Sequence, residues 1–168
     1  MKGYPTPEQA LSRLAALCAR SEQCTADITK KLEKMHLPPG EQQRIMARLK
    51  ELRFVDDERF ARAYAHDKLE YQLWGRMKIS RGLWAKRIPR QLIENAIEEL
   101  DPTVYRKTAA RVIAAKIRHL GAEALTREGR DKILRHAMSR GFEASLSIKI
   151  MSALIKRLQE REESDEMD

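Results

Sequence analysis

Proline and glycine are scarce in this chain, with six and seven residues among 168, too few for the turns of a many-stranded sheet. Alanine, leucine, arginine, lysine, glutamate and methionine dominate instead, and all are good helix formers. An all-β fold is thereby excluded. Aromatic residues are equally few: three Phe, two Trp and four Tyr. The two cysteines, Cys18 and Cys24, form no C-x-x-C pair, so neither a disulfide scaffold nor a zinc site is indicated, and both are expected as reduced thiols. No apolar run approaches the ~20 residues that cross a bilayer. Met1 to Ala10 lack the apolar stretch of a secretion signal. The protein is expected to be soluble and cytoplasmic.

Motifs of catalysis are missing as well. There is no G-x-x-x-x-G-K-[ST] phosphate loop and no G-x-G-x-x-G. His36, His66, His119 and His136 have no H-E-x-x-H spacing and read as surface or helix-end residues. The densest acidic cluster of the body, Asp56-Asp57-Glu58, stands at a helix start, where carboxylates belong as caps. A hard cation needs several converging oxygens, so capping is the preferred reading. No catalytic residue, metal or cofactor is expected.

What is abundant is positive charge. Lys and Arg number 33 against 25 Asp and Glu, a net +8, and Glu160 to Asp168 hold six of those acids. Without these nine residues the chain carries 32 bases and 19 acids. Such a balance favours acidic partners, nucleic acid first. The nine-residue acidic end itself is expected to be frayed or disordered.

A repeat is present in spacing rather than identity. From Ile28, apolar residues follow at Leu32, Leu37 and Leu49, offsets of 4, 9 and 21. From Ile79 the same offsets give Leu83, Ile88 and Leu100, and from Ile133 they give Ala137, Phe142 and Leu154. Upstream of each origin lies an apolar pair four apart followed by alanine: Ala10, Leu14, Ala15, then Phe60, Tyr64, Ala65, then Ala109, Ile113, Ala114. Residues four apart share one helical face. Thr6-Pro7-Glu8, Asp56-Asp57-Glu58 and Asp101-Pro102 mark helix starts. Breaks fall at Leu37-Pro38-Pro39-Gly40, at Ile88-Pro89 and at Arg140-Gly141-Phe142. The expected fold is therefore all-α: three tandem three-helix repeats at 6–54, 55–101 and 102–159, stacked as an elongated, curved array, with a disordered tail at 160–168. Units of about fifty residues bury too little surface alone and must stack.

The functional signal lies in the second repeat. Tyr71 to Ile93 contain no acid, while Arg76, Lys78, Arg81, Lys86, Arg87 and Arg90 are basic and Trp74 and Trp84 lie among them. Six bases with interleaved rings suit a phosphate backbone or an acidic protein groove. A merely solvated face normally mixes signs, so these six are the candidate binding residues. For Trp84 the preferred reading is core, with Ile79 beside it, because large aromatics are scarce. Gly82 interrupts the helix, through either a close backbone approach or a helix break.

Phe54-Val55-Asp56-Asp57-Glu58-Arg59-Phe60-Ala61-Arg62-Ala63-Tyr64 resembles the h-x-D-D-x-R-F-A-x-x-Y signature of the RecX family. Arg20-Ser21, Ile28 and Lys30-Lys31-Leu32 resemble that family's first-repeat helix, and Trp74-Gly75-Arg76-Met77-Lys78-Ile79 with Leu83 and Ile88 its second. This chain departs from the pattern at Arg76, where many members have Pro, at Gly82 in place of Glu, and at Arg87 in place of Gly. The resemblance implies tandem three-helix repeats and a non-enzymatic regulator of the RecA recombinase. It implies a protein that lies in the groove of the RecA–DNA filament and restrains recombinase, ATPase and coprotease activity, some members also binding DNA. The expected partners are therefore the RecA filament and DNA phosphate, with the protein acting as a monomer. A sequence-independent DNA-binding module and a helical interaction adaptor are the competing readings.

Overall fold

The computed structural model describes residues 3–165. Nine α-helices follow in order: α1 (Pro7–Arg20), α2 (Thr25–Glu33), α3 (Pro39–Glu51), α4 (Asp57–Glu70), α5 (Arg76–Ala85), α6 (Arg90–Glu98), α7 (Pro102–Leu120), α8 (Arg127–Ser139) and α9 (Ala144–Asp165). A short 3-10 helix, Gly121–Leu125, joins α7 to α8, and no strand occurs among the described residues. The all-α expectation holds, with the helices falling into three successive triplets. Each start has a local cause. Thr6 and Gln9 form a reciprocal capping box ahead of Pro7, and Asp101 Oδ1 accepts from the N–H groups of Thr103 and Val104 at 2.7 and 3.0 Å.

The disordered tail is corrected over 160–165: these residues continue α9 as helix, and 166–168 lie outside the described residues. The run propagates from a helix already anchored by buried Met151 and Ile155. Elongation onto a formed helix is far easier than nucleation, and glutamate is a good helix former.

Packing divides the chain into two compact units, Met1–Tyr64 with Gly82–Glu98, and Ala65–Arg81 with Glu99–Asp168. The first has a core of Ala10, Leu14, Ile28, Leu32, Leu37, Ile45, Leu49 and Val55. The second is centred on Ile113, Ile117, Ala124, Ile133, Ala137, Met151 and Ile155. Of the twelve residues in the repeat pattern built on Ile28, Ile79 and Ile133, all are buried except Leu154, which is half-buried.

One position repeats more faithfully than its residue type. His36, Arg87 and Gly141 have φ of 55, 56 and 95° and stand just before Leu37, Ile88 and Phe142. A left-handed residue lets the chain turn off a helix end and bond backwards. Accordingly Ile88 N–H donates to Leu83 O at 3.2 Å and Phe142 N–H to Ala137 O at 3.1 Å. Only glycine adopts this conformation without a Cβ penalty, so Arg87 holds a strained site. Replacing Arg87→Gly is expected to stabilise the protein by about 0.5–1 kcal/mol, read as a higher urea midpoint at unchanged slope.

Candidate functional site

The six bases divide between the units. Arg76, Lys78 and Arg81 belong to the second, and Lys86, Arg87 and Arg90 to the first. Their stretch lacks acids along the chain but not in space. The Arg76 guanidinium meets Glu143 at 3.3 Å and lies 3.9 Å from the Tyr105 ring centre. Lys86 meets Asp27 at 2.7 Å, and Arg90 meets Glu94 at 2.7 Å on an exposed face. Lys78 and Lys68 both stand over the half-buried Trp74, 4.6 and 4.7 Å from the ring centre. Arg81 and Arg87 are exposed and have no ion pair among the described residues.

Trp84 overturns its expectation: it is 68% exposed, whereas Ile79 is fully buried. Helix α5 turns Leu83 inward, and the next residue lies about 100° further round, which points Trp84 to solvent. Gly82 takes neither expected explanation. It lies within α5, and a Cβ there would come 2.1 Å from Tyr64 Oη, so a tyrosine ring occupies the space.

The N-terminus of α5 is built by tertiary contacts. A helix start leaves N–H groups without intrahelical partners, and Trp74-Gly75 offer no capping side chain. Tyr105 Oη accepts from Arg76 N–H at 3.0 Å, and Gly141 O accepts from Met77 N–H at 3.1 Å. Gly75 N–H in turn donates to Arg140 O at 2.8 Å. The backbones touch: a Cβ on Gly75 would lie 2.3 Å from the Gly141 carbonyl. Tyr105 donates its hydroxyl to Glu143 at 2.6 Å, which closes the cluster with Arg76. Burial, then the bond to Glu143, raises the Tyr105 pKa and keeps the phenol protonated. Burial opposes charge on Glu143, yet the Tyr105 hydroxyl and the Arg76 guanidinium hold its pKa below the usual glutamate value. Asp27 is likewise depressed, against burial, by Lys86 and by a bond from Cys24. Sequence reading missed Tyr105 and Glu143, which lie 29 and 67 residues from Arg76.

The acidic cluster works as architecture. Asp56 Oδ1 accepts from Arg59 N–H at 3.0 Å, capping α4, a bond that lowers the Asp56 pKa. Asp57 Oδ1 accepts from Thr25 N–H at 2.7 Å, capping α2. Glu58 pairs with Arg62 at 2.9 Å. Arg59 binds Glu22 at 2.6 Å and donates to Arg53 O at 3.0 Å. Cys18 and Cys24 are free thiols whose pKa values burial raises, so little reactive thiolate forms at neutral pH.

Comparison with known proteins points to RecX proteins. The model of the RecX second three-helix domain matches residues 56–97, which span α4, α5 and all but the last residue of α6. The chain is 23% identical over 155 residues to the regulatory protein RecX of Streptomyces coelicolor, covering 89% of this chain and 81% of that one. It is 25% identical over 158 residues to the regulatory protein RecX of Mycolicibacterium smegmatis, covering 92% and 84%. The crystal structure of RecX from Lactobacillus salivarius has the same fold, with a TM-score of 0.79 at 15% identity over 88% of this chain and 96% of that one. A further crystal structure of a regulatory protein RecX gives 0.77 at 23% identity, over 87% and 71%.

Two predictions test the cluster. Gly75→Ala forces two backbones apart and is expected to cost roughly 3 kcal/mol. Gly82→Ala displaces only the end of the Tyr64 ring and should cost distinctly less, so thermal melts of the two variants will separate them. Glu143 has a depressed pKa, so its stabilisation is complete above the ordinary value of about 4.3 and lost as pH falls through the lower folded value. Wild type is therefore expected to exceed Glu143→Gln in stability by about 1–3 kcal/mol at neutral pH, with the gap in urea midpoints shrinking as the pH is lowered below the ordinary glutamate value.

Proposed function

We propose that the chain is a RecX-family protein, a non-enzymatic regulator, mainly an inhibitor, of a RecA-type recombinase. The observation that carries this reading is a similarity spanning 89% of the chain, well beyond the matched domain at 56–97. In this reading the protein acts as a monomer, its three triplets at 6–54, 55–101 and 102–159 serve as repeats, and it occupies the groove of the RecA–DNA filament. Occupancy there obstructs a second duplex or a cleavable repressor. It changes ATP turnover only if one filament state is bound better than another.

The six bases divide the work. Arg81 and Arg87, exposed and without ion pairs among the described residues, meet DNA phosphate or acidic filament surface directly, with Lys78 beside Trp74. Arg90, with its side chain 85% exposed, exchanges Glu94 for such a partner at small cost, since solvent screens an exposed pair. Arg76 and Lys86 are two-thirds buried on Glu143 and Asp27. Leaving those carboxylates would strand them, so each of these two bases has a positioning role within its own unit.

The test is DNA-dependent ATP hydrolysis by the host's own recombinase. Arg81→Glu/Arg87→Glu is expected to need about tenfold more protein for equal inhibition, with helicity retained. Inhibition equal to wild type would refute the assignment of this surface. Binding to random duplexes with a steep salt dependence, but no effect on the recombinase, would favour the plain DNA-binding module.

A further inference from the structure

The groove between α1 and α2 in the first unit, about 540 Å³ in volume, has an arrangement unlike the acid-paired cluster around Arg76. Its rim carries Arg13, Arg20, Lys31 and Lys34, and no carboxylate lines it. All four are exposed, and none has an ion pair among the described residues. Four like charges around one groove repel one another, a strain that a carboxylate-bearing partner relieves. The floor is apolar, with half-buried Leu17 and Met35. On α1, Leu17 stands between Arg13 and Arg20 at spacings of four and three, so the three share one face. Lys31 lies in the last turn of α2, and Met35 in the turn just beyond its C-cap Lys34. Arg13 and Arg20 are two turns apart, about 10.5 Å along the axis.

From this geometry we propose that the groove docks an acidic amphipathic helix of a partner protein. Its apolar residues rest on Leu17 and Met35, and carboxylates about seven residues apart meet the two arginines, the register of helix-in-groove recognition. A protein segment fits better than a nucleic acid strand. No aromatic side chain lines the groove, so bases have no stacking platform, and a phosphate backbone leaves the aliphatic floor unused. The proposal stands independently of the recombinase reading, because the groove shares no residue with the six bases assigned above.

The test measures affinity for the full-length protein by fluorescence anisotropy, without recombinase. The probe is a labelled helical peptide of about 20 residues, with Leu at the first and fourth positions of each heptad and Glu and Ala elsewhere. A scrambled peptide of the same composition and an oligothymidylate of similar length are the comparisons. The amphipathic peptide is expected to bind at least about fivefold tighter than the scrambled one. Arg13→Glu/Lys34→Glu, both at exposed positions, should weaken it at least about tenfold with helicity unchanged. Met35→Gln should weaken the amphipathic peptide and leave the scrambled one unaffected, with Leu17→Ala as the second floor variant if Met35→Gln loses helicity. Equal binding of the two peptides, or no loss on charge reversal, overturns the proposal. So does oligothymidylate binding that falls with Arg13→Glu/Lys34→Glu while the peptide does not bind, which would make the groove a phosphate site.

Discussion

The first N–H groups of α5 have no carbonyl within their own helix to bond, and the two residues before them cannot cap. The chain solves this from a distance. The Tyr105 hydroxyl and the Gly141 carbonyl take the N–H groups of Arg76 and Met77, and Gly75 rests directly on Gly141. Much in the second unit follows from that docking. Tyr105 must be buried to reach α5, Glu143 must accept its hydrogen bond, and Arg76 must turn its guanidinium back over the ring. A buried polar cluster of this kind is favourable only when every member is satisfied. Here the glycines are as necessary as the hydrogen bonds, because a side chain at either would separate the two backbones.

Charge obeys a similar division between chain and space. A stretch of 23 residues without an acid looks uniformly cationic, yet folding brings carboxylates onto Arg76 and Lys86 from 67 and 59 residues away. Within that stretch Arg81 and Arg87 keep no ion pair among the described residues, and neither do the cations on the rim of the α1–α2 groove. Those rim residues escape a search for runs because Glu22, Asp27 and Glu33 are interspersed with them along the chain. Counting charge in a window finds composition, whereas an interaction surface depends on which charges are already spent.

The Asp56–Tyr64 motif has an architectural role. Asp56 caps its own helix, Asp57 caps α2, and Arg59 ties Glu22 to the carbonyl of Arg53. Phe60 and Ala61 behind them are buried. The pattern joins the start of the second triplet to the start of α2, so it marks the fold more directly than it marks a contact with any partner.

The helices, their starts at Thr6, Asp56 and Asp101, and the buried positions at offsets of 4, 9 and 21 were legible in the residues alone. Helical periodicity and capping are set by neighbours three or four places away, and both are written along the chain. Trp84 on the surface, Gly82 beneath the Tyr64 ring, the carboxylates facing Arg76 and Lys86, and the helical course of 160–165 were decided only on folding. Gly82 and the two carboxylates turn on groups brought together from distant parts of the chain, and 160–165 on a helix already held by its packed turns; no local pattern encodes either. Trp84 follows from which face of α5 packs inward, since it adjoins buried Leu83.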